Sequence, residues 1–186
     1  QVSTIDDLSG GRFLFGVGVG WNREELENVS SVPWSQRYNA MRETVGALRA
    51  LWGNESAGYS GTFVNVAESW VYPRPTRPGG PPVLMGCQGR LGMELVAEYA
   101  DEWCPLDIGF RDVAKGLGWM RDAAEAAGRD PDSIPVTMYC FGSPNAQKLE
   151  QYRELGIVRT VLSAPDEPDA HHRILEGERE PAAAHE

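Results

Sequence analysis

The stretch Arg12-Phe-Leu-Phe-Gly-Val-Gly-Val-Gly-Trp-Asn-Arg-Glu-Glu25 decides the fold class. Phe13, Leu14, Phe15, Val17 and Val19 form a short apolar run, the pattern of a strand buried on both faces. Gly16, Gly18 and Gly20 alternate with the valines, so on a strand they share one face and let something approach the backbone closely. The run stops at Trp21-Asn22 and gives way to Glu24 and Glu25, the acidic start of a helix. Strand, glycine-lined turn and helix make one βα unit of an α/β protein. Two sharper motifs fail on the same glycines. A dinucleotide fingerprint needs a glycine where Trp21 stands and an acidic residue near Gln36 and Arg37, and a phosphate loop needs a lysine after the glycines.

Further units follow along the chain. From Gln36 to Trp52, Tyr38, Met41, Val45, Leu48, Leu51 and Trp52 recur at helical spacing, and Gly53-Asn54 ends that helix. The segment Gly58 to Pro82 is rich in Gly, Pro and aromatics and reads as an irregular excursion with a short edge strand over Gly61 to Val66. Strands are expected at Pro82–Gly86, Glu102–Pro105, Val136–Phe141 and Val158–Ser163. Helices are expected from Leu91 to Tyr99, Phe110 to Ala127 and Asn145 to Leu155. Strand and helix alternate about five times with short connections, an order that demands a parallel sheet covered by helices. The whole of 1–186 reads as one domain, with a polar tail from about Asp166. Gln1 to Leu8 reads as the last turns of a helix already under way, stopped by Ser9-Gly10-Gly11, so an upstream continuation is expected.

Composition narrows the partners. A net charge of −10 argues against nucleic acid or an anionic membrane, and no apolar run reaches membrane-span length. Cys87, Cys104 and Cys140 are odd in number and widely spaced, which suits a reducing, cytoplasmic compartment.

Ligands of parallel α/β folds sit at the carboxyl ends of the strands, where helix N-termini present free N–H groups. The most informative such place is Met85-Gly-Cys-Gln-Gly-Arg90. Gly86 and Gly89 allow close approach, the following helix offers unpaired donors, and Arg90 adds positive charge. It reads as a phosphate cradle; the alternative is a helix start with a solvated arginine. Trp21, Asn22 and Glu24 end the first strand, either flanking a ring and orienting polar groups or serving as core tryptophan and N-cap. The three cysteines lie near strand ends but lack a CxxC pair, a weak metal pattern. His171, His172 and His185 fall in the polar tail and read as solvated. No serine stands in a nucleophile elbow, and the adjacent carboxylates Asp6-Asp7 and Glu24-Glu25 do not face each other on a helix.

With these residues in view, the chain resembles the luciferase-like monooxygenase family, in particular its deazaflavin-dependent branch. The matching stretches are Leu8-Ser-Gly-Gly-Arg-Phe with Gly16-Val-Gly-Val-Gly-Trp, and Arg42-Glu-Thr-Val-Gly-Ala-Leu-Arg-Ala-Leu-Trp. Tyr72-Pro-Arg-Pro, Pro81-Pro-Val-Leu-Met-Gly, Tyr99-Ala-Asp-Glu-Trp, Ala127-Gly-Arg-Asp-Pro and Tyr152-Arg-Glu-Leu-Gly-Ile follow in family order. The resemblance implies a (β/α)8 TIM-type barrel of ~250 residues or more. This chain would supply strands four to eight, with strands one to three upstream of Gln1. It further implies that Gly86, Cys87, Gln88, Gly89 and Arg90 hold the cofactor phosphate, while Gly18, Val19, Gly20 and Trp21 lie near the ring system. Met85-Gly86-Cys87 departs from the family's usual Gly-Gly followed by a small polar residue. Catalytic residues would lie upstream, so none is assigned.

The function implied is hydride transfer between 8-hydroxy-5-deazaflavin (coenzyme F-420) and a small organic substrate. The alternatives are an FMN- and dioxygen-dependent monooxygenase and a non-catalytic, cofactor-binding half-barrel. A half-barrel exposes two sheet edges, which favours a homo-oligomer and predicts no turnover by the 186-residue chain alone.

Overall fold

The computed structural model describes residues 1–110, 112–142 and 144–163. Its elements in chain order are α1 (Val2–Leu8), β1 (Phe15–Gly18), α2 (Arg23–Val29), α3 (Arg37–Gly53), β2 (Ala57–Ser60), β3 (Asn65–Ser69) and β4 (Val83–Gly86). They continue with α4 (Arg90–Tyr99), β5 (Glu102–Trp103), α5 (Val113–Ala126), β6 (Thr137–Tyr139), α6 (Ala146–Glu154) and β7 (Arg159–Val161). Strand β4 lies between β1 and β5, and β6 pairs with β7, all in parallel. Parallel bridges Trp103 to Val136 and Leu106 to Tyr139 join the two groups, so five strands run in the order β1-β4-β5-β6-β7. The expected alternation of parallel strands and helices is therefore present, with all five expected parallel strands. The polar tail, including the three histidines, lies outside the described residues.

One face of this sheet makes the core. Val83 and Met85 of β4, Trp103, Val136 and Met138 are buried, and all but Val83 join Met93 and Val96 of α4, Met120 and Ala124 of α5 and Tyr152 of α6 in one cluster. Phe15 of β1 meets the indole of Trp52 in α3 edge-on at 5.8 Å. Pleat parity then puts Gly16, Gly18, Leu84, Gly86, Glu102, Cys104, Thr137, Tyr139, Arg159 and Val161 on the other face. That face is open around β1. Gly16 and Gly18 are exposed and their neighbours only half-buried, which corrects the expectation of a strand buried on both faces. The physical reason is that, among the described residues, nothing packs on that face of β1: a Cβ on Gly16 would meet no atom within 4 Å.

The open face carries one charged cluster. Glu102, almost fully buried, accepts from the Thr137 hydroxyl and from the Arg159 guanidinium, the latter at 2.7 Å. Arg159 also donates to Thr137 Oγ1 at 2.8 Å, so β5, β6 and β7 are tied through their side chains.

Two local expectations change. Of the predicted edge strand over Gly61–Val66, residues 61–64 are instead the turn of an antiparallel hairpin, β2–β3, and Asn65 and Val66 begin its second strand. Glu43 of α3 takes the N–H groups of Thr62, Phe63 and Val64 at 3.0, 2.6 and 3.0 Å, so these donors are unavailable to a strand ladder. The Phe63 hydrogen bond leads the causes that hold the Glu43 carboxyl below its ordinary range. Helix α5 starts at Val113, not Phe110, because the Asp112 carboxylate accepts from Lys115 N and caps it there. Phe110 stays outside the helix and packs edge-on against Trp103 at 5.8 Å.

The motifs carrying the family resemblance turn out to brace helix ends. Arg74 donates to the carbonyls of Trp52 and Asn54 at the end of α3. Arg129 donates to those of Val96 and Ala100 at the end of α4. Asp101 accepts from Val83 N at 2.7 Å and from Arg49 at 2.8 Å, joining β4 to α3. Each supplies a partner for backbone groups that a helix or strand leaves unpaired.

Candidate functional site at the strand ends

The carboxyl ends of β1 and β4 meet in register at Gly18 and Gly86. A Cβ on Gly18 would stand 3.4 Å from the Gly86 carbonyl, so two bare, exposed backbones lie side by side there. The chain continues from Gly86 through Cys87, Gln88 and Gly89 into α4. Gly89 has φ +83° and precedes the first helical residue without offering any side-chain cap. Three other helices of this series close their first turn with their own side chains. Asn22 caps α2, Asp112 caps α5 and Asn145 caps α6. Helix α4 therefore starts with free donors, the positive end of its dipole and no carboxylate or amide over them.

The remaining predicted site residues are disposed differently. Val19 is half-buried and packs on the core. Gly20 is exposed and Trp21 is 88% exposed, which excludes the core-tryptophan reading, while Asn22 is the helix cap that the alternative reading expected. Cys87 turns toward α4, where a Cβ on Gly92 would lie 2.8 Å from its Cβ. Its carbonyl accepts from Trp103 Nε1 at 3.1 Å. Gln88 Nε2 donates to the Leu106 carbonyl at 3.0 Å, reaching from the β4 turn to the loop after β5. Arg90 points outward, 94% exposed, with Glu94 at 3.4 Å. It edges a groove of about 950 Å³ between α4 and α5, lined also by Met93, Trp119 and Ala123. That groove shares Gly89 and Arg90 with the turn, while the bare backbone at the strand ends makes the turn itself the better candidate for chemistry.

Burial raises the Cys87 thiol to about 12 and the Cys104 thiol to about 11, so both stay protonated near neutral pH. Burial thus disfavours the thiolate at both, and among the described residues no group of three His, Cys, Asp or Glu is placed to hold a metal.

The far side of the mouth was not read from sequence. Leu106, Ile108, Tyr139 and Phe141 are exposed apolar residues there. Asp107 is nearly buried among them, accepting from Phe141 N at 2.9 Å and from Lys148 Nζ at 2.8 Å. Burial works to raise the Asp107 carboxyl, but the Lys148 and Phe141 hydrogen bonds outweigh it and hold the group below its usual range. The Asp107 hydrogen bond in turn raises Lys148. The contribution of Asp107 is then complete above the ordinary aspartate value of ~3.9 and fades as pH falls through its lower native value. That of Lys148 is complete below ~10.4 and fades as pH rises through its higher native value. Asp107→Asn is expected to cost about 1–2 kcal/mol at pH 7, a deficit that closes at both pH extremes. Urea denaturation of both proteins from about pH 2 to about pH 12 checks this; a deficit that stays constant to both ends would contradict it. The only sequence signal for Asp107 was its place just beyond a strand end.

Five parallel strands alternating with helices, with bare backbone where β1 and β4 end, define an α/β fold of the barrel type. Comparison with known proteins names the family. The model of the luciferase-like monooxygenases matches residues 1–185, and the chain belongs to that family. An uncharacterised protein of Mycobacterium tuberculosis is 37% identical over 169 residues, covering 89% of this chain and 57% of the relative. Pyrimidine monooxygenase RutA of Escherichia coli is 34% identical over 145 residues, covering 74% of this chain and 37% of RutA. A solved coenzyme F-420-dependent secondary alcohol dehydrogenase, bound to an F-420–acetone adduct, superimposes with a TM-score of 0.70 at 16% identity, over 87% of this chain and 66% of that one. That likeness is one of fold. The chain spans about half the length of the mycobacterial relative. No described helix is long and apolar enough to cross a membrane.

Proposed function

We propose that this chain forms the phosphate-holding side of a luciferase-like oxidoreductase, and that its five parallel strands are the fourth to eighth of the family barrel. The observation that carries the reading is the bare start of α4. Gly86 and Gly89 leave the backbone open, no side chain caps the helix, and a dianionic or monoanionic phosphoryl group would satisfy the free N–H donors. Main-chain donors of residues 88–91 would hold that group; the Cys87 side chain, turned to Gly92, would not. When bound, a deazaflavin accepts or delivers a hydride at its ring. The chain's own share is to bind and orient. The bare backbones of Gly18 and Gly86 allow a flat ring to lie close, with Val19, Gly20 and Trp21 on the β1 side. The apolar wall of Leu106, Tyr139 and Phe141 keeps water from a small organic substrate.

Coenzyme F-420 is the first choice of cofactor. FMN with dioxygen is the second reading, favoured by the 34% identity to a monooxygenase. Titrating the protein with each cofactor, following its fluorescence, separates the two. Tighter binding of F-420 than of FMN supports the first, and tighter binding of FMN than of F-420 supports the second. Binding of neither would remove the proposal.

A further inference from the structure

We propose that Gln88 is a positioning residue and not a ligand, and that Gly109 is the seat that fixes it. The inference rests on the reading of the α4 start as a phosphoryl site. Residues 87 and 88 are held from three directions without any ligand. The Cys87 carbonyl takes the Trp103 indole N–H, and the Cys87 side chain fills the space left by Gly92. The Gln88 amide crosses to the Leu106 carbonyl. There it lies against Gly109, and a Cβ built on Gly109 would fall inside the Gln88 amide group. The receiving loop is tied in its turn, because Asp107 accepts from both the Phe141 N–H and Lys148 Nζ.

The consequence is a preformed turn. A glycine-rich segment with φ +83° at Gly89 is conformationally free in isolation, and ordering it on binding would cost affinity. Anchoring the Gln88 side chain on the β5 loop removes that freedom beforehand and aims the N–H groups of residues 88–91 at the mouth. It also links the phosphoryl-holding turn to the loop that carries the apolar wall. Gly109 has no positive φ, so the lack of a side chain there serves space and not backbone conformation.

The test is a cycle of Gln88→Ala, Gly109→Ala and the double variant. Backbone amide order parameters at residues 88–91 are followed without ligand by NMR relaxation, and affinity by titration with F-420 and with FMN. Each single variant is expected to lower the order parameters of these amides from about 0.85 to below about 0.6 and to weaken the bound cofactor about tenfold, while α5 and α6 stay as before. With the Gln88 amide gone, the Gly109 methyl has room, so the double variant is expected to match Gln88→Ala alone. Multiplying effects, unchanged order, or lower order with unchanged affinity would each overturn the inference. Lower order in a protein whose unsubstituted form binds neither cofactor would uphold the clamp and refute the phosphoryl reading on which its purpose rests.

Discussion

Replacing Arg159 by methionine is expected to destabilise the protein by about 3 kcal/mol or more, measured by urea denaturation at pH 7. The substitution leaves the Glu102 carboxylate, 5% exposed, on the open face of the sheet with only Thr137 as a partner. Removing one member of a buried pair costs far more than the pair contributes, because the survivor keeps its desolvation penalty. Arg159 is itself 46% exposed, which places the expected loss at the lower end of the range for buried pairs. The double variant Glu102→Leu, Arg159→Leu removes both charges and is expected to recover most of that stability. A loss under about 1 kcal/mol in Arg159→Met, or a double variant worse than the single one, would show that the cluster does not behave as a buried pair.

The second large effect falls on Gly80, far from the mouth. Gly80 has φ +98°, where an L side chain is strained, and a Cβ there would enter the indole of Trp52. Trp52 has no room to yield: it is 4% exposed and is met edge-on by Phe15 of β1. Gly80→Ala is expected to cost about 3 kcal/mol or more, the sum of overpacking and backbone strain. Gly128→Ala is the control, since Gly128 has φ +71° with nothing within 4 Å, and only the strain of about 1 kcal/mol should appear. Equal losses at both positions would mean that backbone conformation alone, and not the Trp52 contact, makes Gly80 necessary.

The two positions differ in how far sequence reveals them. The pattern of short apolar runs, helical periodicities and glycine stops was enough to place all five parallel strands and the helices between them. Those signals are local, because a residue's face on a strand or helix follows from spacing alone. The glycines at 18, 86 and 89 were legible for the same reason. They mark bare backbone at strand ends, and the fold decides only what faces them.

What pairs across the chain was hidden. Glu43 reaches residues 62–64, Glu102 reaches Arg159, and Asp107 reaches Lys148, separations of about 20 to 60 residues that no periodicity encodes. Glu43 turned an expected strand into a hairpin turn by taking its donors, and Asp112 moved a helix start by three residues. Gln88 was legible as part of a phosphate turn, yet its side chain is spent on Leu106, because the β5 loop lies beside it only in the folded sheet. Local chemistry thus selects the elements. The direction in which each polar side chain discharges its hydrogen bonds depends on neighbours that exist only after the sheet has formed.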